Sequence, residues 1–135
     1  MNRSIMIAVH GLAFSTLLLS CKKAENPLVP ATQEEKTKIT INTPYENQVF
    51  AKGDTVFIKA FATCTTEMHG CKVYIVRGTT DTLFAKARHM HGMEMMVSEQ
   101  WVNDLETPSE LQIIVSAVID HDGGTADKTL NFKTQ

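Results

Sequence analysis

The chain has 135 residues, 43% of them hydrophobic, and its 13 basic and 15 acidic side chains leave a net charge of −2. This length suits one domain with a single hydrophobic core. A slightly acidic chain without a clear cluster of lysines or arginines does not fit nucleic-acid binding. The motifs of serine hydrolases, zinc peptidases and phosphate-binding loops are missing from the sequence, so we expect no enzyme and no small-molecule substrate.

Residues 1–20 are typical of a signal peptide. Arg3 precedes an apolar run from Ile5 to Leu19. This run falls short of the roughly 20 apolar residues that a membrane-spanning helix needs. An uncleaved membrane anchor and a buried helix are the alternatives.

The run leads into Leu18-Leu19-Ser20-Cys21, which resembles the lipobox of bacterial lipoproteins. The resemblance implies that a diacylglycerol is attached to the Cys21 sulfur, that the chain is cut before Cys21 and that the new N-terminus is acylated. Two lipid signals together give a stable membrane anchor. We therefore expect a lipoprotein held by its N-terminal lipid on the periplasmic or cell-surface side, in the outer membrane.

Residues 21–36 are expected to form a flexible tether because they are polar, charged and interrupted by Pro27 and Pro30. A strand that docks on the domain is the alternative. The domain is expected over residues 37–135, where short runs of alternating hydrophobicity are separated by turn residues. Strands are predicted around residues 39–41, 56–62, 73–77, 83–88, 93–102, 111–119 and 129–132. Gly70 and Gly92 are among the residues expected to separate them.

About seven short strands without helical periodicity predict an all-β domain, an antiparallel β-sandwich in which alternate residues of 111–119 form one wall of the core. Residues 43–50 followed by Gly53-Asp54, and the run from Leu111 to Gly123, are similar to segments of bacterial immunoglobulin-like domains. This resemblance implies an immunoglobulin-like sandwich. The layout is also similar to that of small uncharacterised lipoproteins that carry an H-x-H segment.

Two cysteines, Cys64 and Cys71, remain once Cys21 is acylated. Two thiols this close in a chain outside the cytoplasm favour a disulfide. In the alternative, these two cysteines act with Met68 and His69 as soft ligands suited to copper.

The run at residues 88–96, RHMHGMEMM, is unusually rich in histidine and methionine. His89 and His91 lie two residues apart, so on a strand they face the same side. Imidazole with thioether favours copper, whereas imidazole with a carboxylate such as Glu94 suits zinc. In the alternative interpretation, the methionines fill gaps in the core and the histidines are exposed at a loop.

The segment His91-Gly92-Met93 is similar to part of the copper site of periplasmic copper chaperones, and His69 falls where that family has a preceding methionine ligand. We therefore predict a copper or zinc site. Its predicted ligands are His89, His91, Met93 and His69, with Met90 and Met95 as further donors.

Residues 120–124, DHDGG, predict a tight turn, with calcium binding through the two aspartates as the alternative.

Two functions remain for the whole chain: a lipoprotein module that binds copper or another transition metal, or a module that binds protein or glycan without metal. The first requires His89, His91 and one more donor to converge within a few ångströms. The second requires an exposed apolar patch or an open sheet edge.

Overall fold

The computed structural model describes residues 36–135. The predicted signal peptide, the predicted lipidation site at Cys21 and nearly all of the predicted tether lie outside the described residues. No helix in the described part of the chain is long and apolar enough to cross a membrane. The strands of this part are β1 (Thr37–Thr43), β2 (Val49–Phe50), β3 (Thr55–Arg77), β4 (Asp81–Val102), β5 (Ser109–Val118) and β6 (Thr125–Thr134).

These strands form one mixed sheet that curls into a half-barrel. The order along the sheet is β1-β3-β5-β6-β2, and β4 pairs with β3 off this path. The pairs are antiparallel except for β2 and β6, which run parallel. Strand β1 also approaches β6 across the curl. The predicted all-β class is therefore confirmed.

Residues 36–135 contain six strands where the sequence predicts about seven, and one parallel pair where it predicts none. The number falls because Gly70 and Gly92, expected to separate strands, lie inside β3 and β4. Both glycines have positive φ values, 156° and 155°, so the backbone bends there while pairing continues on either side. Strand β2 is an additional strand that the sequence does not predict. It has only two residues, which is too short for alternating hydrophobicity to be recognised.

The core lies inside the curl and comes from alternate residues of the long strands. The predicted wall is confirmed, because all five of its side chains are buried: Leu111, Ile113, Val115, Ala117 and Ile119. Phe132 is buried between Phe50 and Trp101, with ring centroids 5.8 and 6.4 Å away. Burial of each large apolar side chain stabilises the fold by about 1.5–3 kcal/mol, which explains why the sheet curls rather than staying flat.

The β3–β4 hairpin bends near its middle through two irregularities in its ladder. Between the pairs Thr63↔Glu94 and Met68↔Gly92, β3 has four residues and β4 has one. Before the next pair, at Gly70, β3 has one residue and β4 has two. Such β-bulges bend a strand and redirect its side chains. The bend therefore breaks the regular alternation at residues 64–69 and 90–93.

An ion pair links the two halves of β4 across this bend. Arg88 Nε lies 2.5 Å from Glu99 Oε1, and the Glu99 side chain is only 8% exposed. The hydrogen bond from Arg88 to Glu99 and the negative charge of that carboxylate raise the pKa of the guanidinium. A nearly buried carboxylate needs such a partner, because an unpaired charge there is costly. The pair thus helps to hold the bend in place.

Candidate metal centre

The four histidines of residues 36–135 meet at the bend of the β3–β4 hairpin. His69 comes from β3, His89 and His91 come from β4, and His121 comes from the turn after β5. The ring centroids are 5.1 Å apart for His69 and His91, 4.7 Å for His89 and His91, and 3.9 Å for His69 and His121. The structure therefore brings together three of the predicted ligand residues, His69, His89 and His91.

Two of these histidines and a glutamate present their ligand atoms to one another. Nδ1 of His69 lies 3.2 Å from Nδ1 of His91, and Oε1 of Glu67 lies 3.9 Å from the same His91 nitrogen. Two ligands of a tetrahedral zinc ion, each with a bond of about 2.0–2.1 Å, are about 3.3 Å apart. Glu67, His69 and His91 could therefore hold a metal ion after small side-chain shifts.

The bend explains why these three side chains converge. Glu67, His69 and His91 all fall between the paired positions of the β3–β4 ladder, in the two irregular stretches. Met68, between the two β3 ligands, is fully buried in the core. Because successive side chains of a strand point to opposite faces, Glu67 and His69 project away from the core. The same bulges that bend the hairpin therefore build the group.

His91 faces different partners with its two ring nitrogens. Its Nδ1 faces His69, and its Nε2 lies 3.1 Å from Nε2 of His89. A neutral imidazole has one donor and one acceptor nitrogen. A metal ion on Nδ1 would leave the proton on Nε2, which could then be donated to His89. Such a partner outside the ligand set fixes the tautomer and the orientation of a metal-binding histidine.

The methionines of residues 88–96 divide between the core and the surface. Met95 is buried in the core, and Met90 packs against it. Met93 and Met96 are 56% and 79% exposed. Met93 lies opposite residues 64–67 of β3, next to the histidine cluster in sequence, and stays a predicted ligand. The methionines that face the core fill it, as the alternative interpretation expects.

Cys64 and Cys71 are buried free thiols in this structure, so the predicted disulfide is not formed in it and stays a prediction. Burial raises the pKa of the Cys64 thiol, but hydrogen bonds with Thr37 and Thr66 outweigh this effect and leave the pKa below its ordinary value. Burial raises the pKa of Cys71, although the Arg88 charge opposes this. Cys64 is therefore the thiol that ionises more readily.

Residues 120–124 form the predicted turn. The Gly124 N–H donates a hydrogen bond to Asp120 Oδ1 at 2.7 Å, and the Ile119 N–H donates one to the Gly124 carbonyl at 2.9 Å. The Asp120 carboxylate thus closes the turn. Asp120 and Gly124 fix the ends of the segment, and His121 is exposed beside His69.

Two members of the cluster, Glu67 and His121, are not among the predicted ligands. One sequence signal points to Glu67: it precedes His69 by two positions, as His89 precedes His91, so two neighbouring strands each carry a pair of donors on one face. His121 has no such signal, because only the pairing of β5 with β3 places it near His69.

Comparison with known proteins gives no family for this chain. No protein-family model matches it, and no curated protein matches it significantly.

Proposed function

We propose that this protein binds one divalent transition-metal ion, Zn(II) or Cu(II), through Glu67, His69 and His91. One observation carries the proposal: the 3.2 Å separation of the His69 and His91 Nδ1 atoms, with the Glu67 carboxylate 3.9 Å from the second. Exposed acidic groups often cluster without a metal. Two imidazoles whose nitrogens face each other beside a carboxylate form a more specific donor set.

The donor set decides between classes of metal ion. Imidazole nitrogen and carboxylate oxygen suit Zn(II) and Cu(II), whereas Cu(I) prefers thiolate and thioether sulfur. The converging side chains supply nitrogen and oxygen, while Met95 and Cys71 are buried in the core. Cu(II) should bind more tightly than Zn(II), in line with the general order of divalent affinities. The proposed role is metal binding without catalysis.

Titration of the purified chain with Zn(II), Cu(II) and Cu(I) tests this function. We expect one equivalent of Zn(II) or Cu(II) to bind with an affinity at least ~100-fold above that of a Glu67→Gln/His69→Ala/His91→Ala variant, because the variant lacks all three donors. Met96→Ala is the matched control, since Met96 is exposed on β4 but lies on a regular stretch of the ladder. Equal weak binding by the wild type and the triple variant would contradict the proposal.

We also propose that this domain is displayed by a lipoprotein. The support is the stretch Leu18-Leu19-Ser20-Cys21 and the apolar run before it. In this proposal the lipid on Cys21 anchors the chain in the outer membrane, and the metal-binding domain, of immunoglobulin-like class, faces the periplasm or the cell surface.

A separate surface on β3 and β4 favours a second candidate function. This function is the binding of an extended protein segment with apolar side chains. Phe57, Phe61 and Met96 are exposed, and Phe61 and Met96 are paired neighbours on β3 and β4. Within residues 36–135, β4 pairs only with β3, which leaves its other edge open for an added strand.

Selection of random peptides against the wild type and a Phe61→Ser/Met96→Ser variant tests this second function. We expect the wild type to enrich apolar, extended sequences, and we expect the variant to lose them because its patch is polar. Selection of the same sequences by both proteins, or of none by the wild type, would contradict it.

A further inference from the structure

We infer that His121 is the fourth ligand of the metal ion held by Glu67, His69 and His91, an inference that rests on the proposed function. His121 lies in the turn between β5 and β6, whereas the other three ligands lie on the β3–β4 hairpin. The completed site would join three segments of the chain: the bulge of β3, the bend of β4 and this turn.

The distance between the rings carries the inference. The His121 ring stacks on the His69 ring with centroids 3.9 Å apart and planes 36° from parallel. An ion bound to His69 Nδ1 would lie near the His69 ring plane, about 2.0–2.1 Å from that nitrogen. The His121 ring faces the same imidazole, so rotation of its side chain would bring a ring nitrogen towards the ion. Rotamer changes of this kind are common on binding.

The sheet register explains why His121 arrives there. Gly70 pairs with Val118 at the end of β5. Because the two strands run antiparallel, the chain beyond Val118 continues past His69 and towards Glu67. The turn that follows is closed by the hydrogen bond from Gly124 to Asp120, which limits how far His121 can lie from the cluster.

The ring contact with His69 is the interaction that the structure gives the His121 side chain within residues 36–135. Within residues 36–135 no hydrogen bond or ion pair engages it, and the residue is exposed. His89, by contrast, already has its Nε2 3.1 Å from Nε2 of His91. His121 is therefore the histidine that can become a ligand without breaking an existing hydrogen bond.

The number of ligands determines what the site can do. Three protein ligands leave a zinc ion with an open position for water or substrate, which is typical of catalytic sites. Four protein ligands close the coordination shell, which is typical of sites that hold the ion. With His121 bound, the centre would retain its ion and would not activate water. The turn at residues 120–124 would then be fastened to the hairpin only when the metal is bound.

The test uses the full-length protein with Cu(II) and Zn(II) as probes, and compares the wild type with His121→Ala, His121→Gly and Asp122→Ala. Asp122→Ala is the matched control because Asp122 is an exposed neighbour in the same turn. We expect His121→Ala to bind one equivalent of metal with at least ~10-fold weaker affinity. Pulsed EPR of the Cu(II) form should count one coordinating imidazole fewer than in the wild type, and Asp122→Ala should match the wild type in both measurements.

Added imidazole gives a readout that a purely structural role of His121 would not change. We expect imidazole to bind the Cu(II) ion of His121→Gly and to restore the wild-type imidazole count, while the wild type takes up none. Equal affinity of His121→Ala and the wild type, or equal uptake of imidazole by the wild type and His121→Gly, would overturn the role of His121 alone. Failure of the wild type to bind either metal would overturn the proposed function and this inference together.

Discussion

Replacing His91 with alanine is expected to weaken the binding of Zn(II) and Cu(II) at least ~100-fold. His91 is the residue that joins the cluster, because its Nδ1 faces His69 and Glu67 while its Nε2 faces His89. Its removal takes away a ligand and separates His89 from the site. Isothermal titration of the purified His91→Ala variant measures the effect. The side chain is 44% exposed and lies outside the core, so the free energy of unfolding without metal should change by less than about 1 kcal/mol.

Two control variants separate a direct ligand from its neighbours. His89→Ala should weaken binding by about 10–100-fold, because His89 orients His91 from outside the ligand set. Met93→Ala should leave Zn(II) and Cu(II) binding within about twofold of the wild type, because nitrogen and oxygen donors suffice for these ions. A large loss in Met93→Ala combined with a small loss in His91→Ala would contradict the proposed ligand set and favour a methionine-based copper site.

Replacing Gly70 with alanine is expected to lower the free energy of unfolding by about 2–4 kcal/mol. A Cβ atom at this position would lie 2.6 Å from the carbonyl oxygen of Arg88, and the backbone φ is +156°. The backbone of β4 would have to shift to relieve this clash, and such overpacking commonly costs about 1–3 kcal/mol before any cost of the unusual φ is added. Because His69 precedes Gly70 and His89 pairs with it, metal affinity should fall as well.

Gly78→Ala is the matched control for this variant. Gly78 also has a positive φ, +64°, but a Cβ atom there would have nothing within 4 Å. Its loss of stability should be about 1 kcal/mol, the cost of the backbone conformation alone. Chemical denaturation of both variants gives the comparison. If Gly70→Ala is no less stable than Gly78→Ala, the close approach of β3 and β4 at the bend is not as described.

Much of the fold follows from local patterns in the sequence. Alternation predicts the buried wall of residues 111–119 and the inward residues of 56–62, since a strand with one buried face must alternate. The glycines mislead at Gly70 and Gly92. In isolation they are typical of strand ends, but the pairing of β3 with β4 continues past them. Whether a glycine ends a strand or bends it depends on the partner strand, which local sequence does not specify.

The candidate site follows from the sequence in part. The pair His89 and His91 can be recognised from its spacing, and the resemblance to copper chaperones predicts His69 beside it. The contribution of Glu67 depends on the bulge at residues 64–67 of β3, and that of His121 depends on the register between β3 and β5. Both are long-range features of the sheet. The methionines are harder to place, because the same residue type serves as core and as ligand.

X-ray absorption spectroscopy of the Zn(II)-loaded protein tests the proposed ligand set directly, because it reports the atoms bound to the ion. With Glu67, His69 and His91 as ligands, we expect a first shell of only nitrogen and oxygen at about 2.0–2.1 Å, with the outer-shell scattering of at least two imidazoles. A sulfur shell at about 2.3 Å would show that cysteine or methionine holds the metal, and would contradict Glu67, His69 and His91 as the ligand set.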